Sequence, residues 1–277
     1  MSEKNKKLCI AVAAHKPYRM PADSMYMPMH VGKALHPDID LGAQFTPDNT
    51  GDNISALNAL YSELTGLYWM WKNCNAEYKG LVHYRRHFAT RNVAKRLFSR
   101  DRFNRIATVA DVLPVLEGAN GQPGMDVIVP RKRNYFIETI YSHYAHTLPV
   151  EQLDETRKII ASNQPDYLPA FDQVMRSKTA HMFNMFIMRA GCFDEYCAWL
   201  FPILEELVRR IDSAQYDAFN ARYPGRISEM LLDVWLQTNK VSYAELTTMS
   251  PEPVDWWSKG IGFLRAKFGG KKYTKSF

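Results

Sequence analysis

Several short apolar runs in this chain end in polar residues, and this pattern constrains the fold more than any other feature of the sequence. The first run, residues 8–14, is continuous and contains β-branched members, and it stops at polar residues 15–17. An uninterrupted run of this length is typical of a strand buried on both faces of a parallel sheet. Residues 80–82 and 125–130 repeat the pattern, and residues 182–188 are predicted to form a central strand.

Stretches with helical spacing separate these runs. Apolar residues recur at steps of three and four between residues 57 and 71, which predicts a helix with one apolar stripe, capped by Asp52, Asn53 or Ser55. Further helices are expected within residues 92–117, 134–177, 193–211 and 227–236, and short strands at 41–45 and 241–246, with the rest of residues 17–53 in loops. Strands that alternate with helices predict an α/β fold with a mainly parallel central sheet flanked by helices.

Length and cysteine content narrow the class of protein further. A chain of 277 residues supports one large α/β domain or two modest ones, and we predict a single domain over residues 1–247. The four cysteines form no C-x-x-C pair, which disfavours a disulfide framework and predicts a reducing cytosol. No apolar stretch reaches the roughly 18 residues that span a bilayer, and the start of the chain lacks a signal-peptide pattern.

The positive charge is concentrated at the end of the chain. The net charge is +6, and residues 256–277 carry six Lys or Arg residues and no Asp or Glu. Four apolar residues of this segment fall on one side of a helical wheel: Trp257, Ile261, Leu264 and Phe268. We therefore expect residues 248–277 to form a basic amphipathic tail that contacts an anionic membrane surface, with packing of its aromatic residues on the body as the alternative. Nucleic-acid binding is disfavoured, because the charge is confined to this short tail.

Common catalytic and cofactor motifs are missing from the sequence. It contains no G-x-G-x-x-G and no G-x-x-x-x-G-K-[ST], which disfavours a dehydrogenase or a kinase, and no H-E-x-x-H or G-x-S-x-G. Asp38 and Asp40 superficially match a metal-binding D-x-D, but they lie early, in a loop flanked by proline. His83 and His87 lack an obvious third ligand, so no metal site is predicted.

A concentrated cationic cluster follows the run at residues 80–82. His83, Tyr84, Arg85 and Arg86 come directly after it. Open α/β sheets bind ligands at the carboxyl ends of their strands, and the planar fork of arginine suits bidentate contact with phosphate. We predict an anion site here, with a solvated basic turn as the alternative.

A second polar segment, Thr50, Gly51, Asp52 and Asn53, precedes the helix predicted over residues 57–71. This segment either forms a turn that caps the helix or holds the ribose and phosphates of a nucleotide at the helix N-terminus. The residues alone leave both interpretations open.

Two more sets of polar residues lie near predicted element boundaries. Ser228 is expected to cap a helix and Glu229 to lie in its first turn, where a carboxylate either favours the helix dipole or acts as a general base. Asn184 interrupts an apolar strand, and once buried it needs hydrogen-bond partners from a substrate or from the backbone.

Taken together, several segments resemble a known family. The matching segments are AAHKPY at 13–18, MPMHVGKAL at 27–35, TGDNIS at 50–55, ELTGLYWMWKN at 63–73, GLVHYRRHF at 80–88, FNMFIM at 183–188, YCAWLFPIL at 196–204 and GRISEMLLDVWL at 225–236. Up to about residue 247 the chain is similar to bacterial capsular and exopolysaccharide biosynthesis proteins, which carry a domain long labelled as of unknown function and regarded as a glycosyltransferase.

The resemblance implies a GT-A-like fold that transfers a sugar from a nucleotide-diphosphate donor to a lipid-linked glycan. The implied donor is a UDP-linked hexose, with galactofuranose as one candidate, and the implied pathway makes capsule, exopolysaccharide or lipopolysaccharide O-antigen. The implied location is the cytoplasm, peripheral on the inner face of the plasma membrane.

The resemblance and the residues together assign expected roles. The residues expected to bind the donor nucleotide are Ala14, His15, Lys16, Thr50, Gly51, Asp52, Asn53 and Tyr84, and those expected to bind the acceptor or the sugar are Asn184, Arg226 and Ser228. Glu229 is expected to deprotonate the acceptor hydroxyl in an inverting transfer. His83, Arg85 and Arg86 are expected to neutralise the departing diphosphate without a metal cofactor. A sugar-phosphate transferase and a non-catalytic, membrane-associated scaffold of polysaccharide assembly are the alternatives.

Overall fold

The computed structural model describes residues 6–252. Its strands are β1 (Lys6–Ala14), β2 (Tyr26–His30), β3 (Thr46–Pro47), β4 (Ala76–His83), β5 (His87–Phe88), β6 (Gly118–Ala119), β7 (Gln122–Pro123), β8 (Val127–Pro130), β9 (Arg133–Asn134), β10 (Thr179–Ala180), β11 (Phe186–Arg189), β12 (Tyr243–Leu246) and β13 (Thr248–Met249). Its α-helices are α1 (Asn58–Tyr61), α2 (Leu64–Asn73), α3 (Val93–Phe98), α4 (Val109–Glu117), α5 (Ile140–Thr147), α6 (Glu151–Asn163), α7 (Leu168–Arg176), α8 (Ala190–Arg210) and α9 (Tyr223–Thr238).

The central sheet has seven strands in the order β12-β8-β11-β4-β1-β2-β3. The strands β4, β1, β2 and β3 pair in parallel, and so do β12 and β8. Only β11 runs against its neighbours in this sheet. The predicted α/β fold with a mainly parallel central sheet is therefore confirmed.

The side chains of β1 are buried on both faces of this sheet. Cys9, Ala11 and Ala13 pack into the cluster formed with α2, α8 and α9, whereas the alternate residues Ile10 and Val12 pack into a second cluster with α4. A strand buried on both faces must be apolar at every position, which explains the continuous run in the sequence. Because β1 and β4 are parallel and in register at Ala13 and His83, both strands end at the same edge of the sheet.

The reversed direction of β11 brings a loop to that edge. Phe186, the first residue of β11, pairs with Leu81 near the end of β4, so the residues just before β11 lie beside His83. The predicted strand over residues 182–188 is thus too long at its start. Phe183 and Asn184 have φ angles of 86° and 48°, a left-handed conformation that is incompatible with a strand.

Other predicted boundaries also differ from the structure. The helix expected over residues 57–71 is broken at Ser62, whose φ is 53°, and the helical stretch expected over residues 92–117 is divided between α3 and α4. The region 17–53 contains the parallel strands β2 and β3 instead of a strand at 41–45. Helix α9 begins at Tyr223, one turn earlier than expected.

The described part of the tail begins on the body of the protein. β13, at the start of the predicted tail, pairs with β5. The amphipathic pattern at residues 256–277 lies outside the described residues. Within residues 6–252, no helix combines the length and the apolar character that crossing a membrane requires.

Candidate active site

The cationic cluster forms a tight turn where β4 ends. The backbone N–H groups of His83 and Arg86 each donate to the carbonyl oxygen of the other residue, at 3.2 and 3.0 Å, and Tyr84 donates to the carbonyl oxygen of Ala13 at the end of β1. This turn exposes the Arg85 side chain and leaves that of Arg86 partly buried.

Phe183, in the loop before β11, contacts two residues of the cationic turn. Its carbonyl oxygen is hydrogen-bonded to His83 Nε2, and the Arg86 guanidinium lies 3.7 Å from the centre of its ring. Burial lowers the pKa of His83, which favours the neutral imidazole. His83 therefore holds the loop in place, and the permanent charges of the turn are the two arginines.

Asn184 connects this loop to α2 and α9. It is 3% exposed, and its amide nitrogen donates to Glu63 Oε1 at 2.7 Å and to the Gly225 carbonyl oxygen at 2.9 Å. Its amide oxygen accepts from Ser228 Oγ at 2.7 Å. The protein thus satisfies the hydrogen-bonding groups of Asn184 itself. The prediction that Asn184 interrupts a strand is wrong, because it lies in the loop before β11.

Ser228 and Glu229 lie in the second turn of α9, so the predictions of a capping serine and a first-turn glutamate are wrong. The Glu229 side chain is partly buried. Loss of solvation raises the pKa of Glu229 to about 7, and the charge of Glu63 adds to this rise, whereas the Phe183 backbone, Arg86 and Arg133 oppose it. A carboxyl group with this pKa exchanges a proton near neutral pH, as a general base requires.

Arg226, one turn of α9 away from the helix start, has an unusual environment. Its guanidinium lies 4.0 Å from the ring centre of Phe219, and its Nη1 atom is buried without a hydrogen-bond partner among the described residues. Buried donors are nearly always paired, so this nitrogen is an exception among the described residues.

The end of β1 contributes a second group of residues. The His15 ring lies 5.3 Å from that of Tyr84, and the Lys16 Nζ and Arg85 guanidinium lie 5.2 and 5.4 Å from the Tyr84 ring centre. Three predicted donor-binding or catalytic residues therefore lie around the ring of Tyr84, which is itself a predicted donor-binding residue. Ala14 is fully buried beneath them, and its carbonyl oxygen accepts from Val31.

The segment at 50–53 makes its hydrogen bonds elsewhere. Thr50 accepts from Trp69 Nε1 at 3.0 Å, and Asp52 is bound through its backbone to Asn73, at the far end of α2 from Glu63. Gly51 has a φ of 57° and closely approaches Asn73, and the side chain of Asn53 accepts from the Ser55 backbone at 3.2 Å. These contacts form a turn. The prediction that Asp52, Asn53 or Ser55 caps the helix is wrong, because the N-cap positions are Ile54 and Leu57 and neither makes a side-chain capping hydrogen bond. The role of the segment in donor binding stays a prediction.

Three residues of the site were not singled out from the sequence: Glu63, Arg133 and Phe183. Arg133 follows the apolar run at 125–130 just as the cationic turn follows 80–82, so the same strand-end pattern would have found it. Glu63 gives no comparable signal, because its proximity to Glu229 depends on the break at Ser62.

Across residues 6–252, no three His, Cys, Asp or Glu side chains come together as metal ligands. Asp38 and Asp40 lie in an exposed loop. The metal-free mechanism stays a prediction.

The fold of this protein is similar to that of a solved glycosyltransferase. The structure is similar to the apo structure of WbbM, a bifunctional glycosyltransferase, with a TM-score of 0.78 and 28% sequence identity. The similarity covers 88% of this chain and 45% of the WbbM chain, so this chain spans about half the length of WbbM.

The chain belongs to the DUF4422 family, a domain of unknown function, whose family model matches residues 9–240. No curated protein matches the sequence significantly.

Proposed function

We propose that this protein is a glycosyltransferase, which transfers a sugar from a nucleotide-diphosphate donor to a glycan acceptor in bacterial surface polysaccharide synthesis. The observation that carries the proposal is the environment of Glu229. Its carboxyl group has a pKa of about 7 and interacts with the Phe183 backbone and with Arg86, whose guanidinium packs on the Phe183 ring. The similarity to the glycosyltransferase WbbM supports the same reaction class.

The donor diphosphate binds the cations at the ends of β1 and β4. Arg85 is exposed beside Lys16 and Tyr84, so it is free to contact phosphate oxygens, and Arg86 adds a second guanidinium. Both groups stabilise the negative charge that develops on the leaving diphosphate. Because fixed cations supply this charge, we propose that a divalent metal is not required. Loss of activity with EDTA and recovery with Mn²⁺ would contradict this part.

Glu229 activates the acceptor. Its carboxylate takes the proton of an acceptor hydroxyl, and the hydroxyl oxygen bonds to the anomeric carbon of the donor sugar. The bond from that carbon to the diphosphate oxygen breaks, and its electron pair leaves with the nucleoside diphosphate. A single displacement of this kind inverts the anomeric centre. Arg226, with a free buried nitrogen close to Glu229 in sequence, contributes to sugar or acceptor binding.

The proposed donor and acceptor rest on the family resemblance. We propose a UDP-linked hexose, such as galactofuranose, as donor, and a lipid-linked oligosaccharide of capsule, exopolysaccharide or lipopolysaccharide as acceptor. The proposed location is the cytoplasmic face of the plasma membrane.

A panel of nucleotide sugars tests the proposal. A true donor raises the melting temperature of the full chain, because a ligand that binds only the folded state stabilises it. Arg85→Ala should weaken this binding, whereas Arg176→Ala, which removes an exposed arginine on α7, should not. Mass spectrometry of the product should show a transferred sugar without phosphorus. A product that retains phosphorus indicates a sugar-phosphate transferase, and no binding of any nucleotide sugar indicates a scaffold.

A further inference from the structure

Helix α3 presents its apolar side chains to solvent. Val93, Leu97 and Phe98 are 55%, 63% and 80% exposed, and no residue of α3 is buried. A six-residue helix is unstable alone in water, and helices in proteins are stabilised mainly by burial of an apolar face. Within residues 6–252, nothing covers this face.

Cations surround these apolar side chains. Residues 91–105 contain six Lys or Arg residues and one carboxylate, Asp101. Arg19 already binds Asp101 through two hydrogen bonds of 3.2 and 2.6 Å. The segment therefore keeps a strong positive charge around its exposed apolar residues.

A cleft of about 310 Å³ lies beside α3. It is lined by Arg96, Arg102 and Arg105 together with residues 89 and 247–250. Three guanidinium groups around one cleft suit the oxygens of a phosphate group.

The last described residue lies beside the same cleft. Arg102 Nη1 donates to the carbonyl oxygen of Glu252 at 3.2 Å. The ring of Tyr18 packs against both Phe103 and Tyr84, at 6.0 and 5.1 Å, which connects this region to the candidate active site.

We propose that α3 and the arginines around it form a surface that docks on an anionic phospholipid membrane. Val93, Leu97 and Phe98 enter the interface between headgroups and acyl chains, and the arginines of the cleft bind headgroup phosphates. The combination of apolar side chains with excess positive charge fits a lipid surface better than an apolar protein partner. This surface lies in the folded body, apart from the predicted tail helix, and does not depend on the proposed transfer reaction.

Vesicle co-sedimentation of the full chain tests this proposal. The vesicles contain phosphatidylcholine with or without phosphatidylglycerol. The double variant Leu97→Ser with Phe98→Ser should lose about tenfold or more in affinity for the anionic vesicles. A matched control, Leu35→Ser with Ile39→Ser, removes two other exposed apolar residues, which lie among aspartates, and should change the affinity less than twofold.

Unchanged affinity of the α3 variant overturns the proposal, and so does equal binding of the wild type to neutral vesicles. If vesicle binding is unchanged while the variant melts at a lower temperature or loses a dimer, the face is covered by the tail or by a second copy, and the proposal is also wrong. Transfer to a soluble acceptor should be normal in the variant, which separates this proposal from the proposed function.

Discussion

Replacing Glu63 by glutamine tests how much the charge of Glu63 raises the pKa of Glu229, the proposed general base. Glu63 raises the pKa of Glu229 through its charge and accepts a 2.7 Å hydrogen bond from Asn184. The amide oxygen of glutamine can accept the same hydrogen bond, so Glu63→Gln removes the charge and keeps the contact.

The expected change of kcat/KM with pH follows from the pKa of Glu229. With a pKa of about 7, the carboxylate is ionised in roughly a tenth of the molecules at pH 6 and nine-tenths at pH 8. If only the ionised form is active, kcat/KM rises roughly tenfold over this range. In Glu63→Gln the pKa of Glu229 is lower, so the acid limb of the profile moves to lower pH and the ratio falls below tenfold.

The assay is kcat/KM from pH 5.5 to 8.5 at constant ionic strength, with Glu195→Gln on the exposed surface of α8 as the control. The control should keep the wild-type profile. An acid limb that stays in place in Glu63→Gln, or a wild-type rate that is flat between pH 6 and 8, would refute the assignment of Glu229 as a base controlled by Glu63.

Three stability measurements test the buried groups around the site. The pKa of Glu229 is raised on folding, so its ionisation destabilises the fold as pH rises. Glu229→Gln removes this ionisation. In urea unfolding, the variant should be more stable than wild type by about 3 kcal/mol at pH 8 and by less than about 1 kcal/mol at pH 5. A stability gain that is equal at both pH values would contradict this. Burial lowers the pKa of His87 to about 3, so the stability that its neutral form contributes is complete above pH 6.5 and is lost as pH falls. Wild type should therefore lose about 2 kcal/mol of unfolding free energy from His87 between pH 8 and pH 5, and His87→Phe should not show this loss. An unchanged pH dependence in the variant would exclude His87 as its source. Ser228→Ala removes a hydrogen bond to the buried Asn184 and should cost about 1–3 kcal/mol in thermal or urea unfolding, whereas no loss would show that the bond is weak or replaced.

Strands β1, β4 and β8 of the sheet were predictable because their burial leaves a direct mark on the sequence. A run that is apolar at every position, such as β1, fits a strand covered on both faces, and the polar residues that follow it mark the edge where ligands bind. This reasoning located the polar turn at His83 at the end of β4.

The breaks in the elements were not predictable from periodicity. Ser62, Phe183 and Asn184 adopt left-handed conformations although none is a glycine, and tertiary hydrogen bonds, such as those of Asn184 to α2 and α9, stabilise that geometry. The pairing of Glu63 with Glu229 depends on these breaks. Ser228 was predicted at a helix start because Pro224 and Gly225 precede it, whereas α9 begins at Tyr223 and buries the Ser228 hydroxyl against Asn184.

The most direct measurement compares donor binding and turnover in Glu229→Gln. Calorimetry of the full chain with its donor should give a dissociation constant within about threefold of wild type, because the phosphates bind the arginines, while kcat should fall at least a hundredfold. Turnover that survives the substitution would contradict the account.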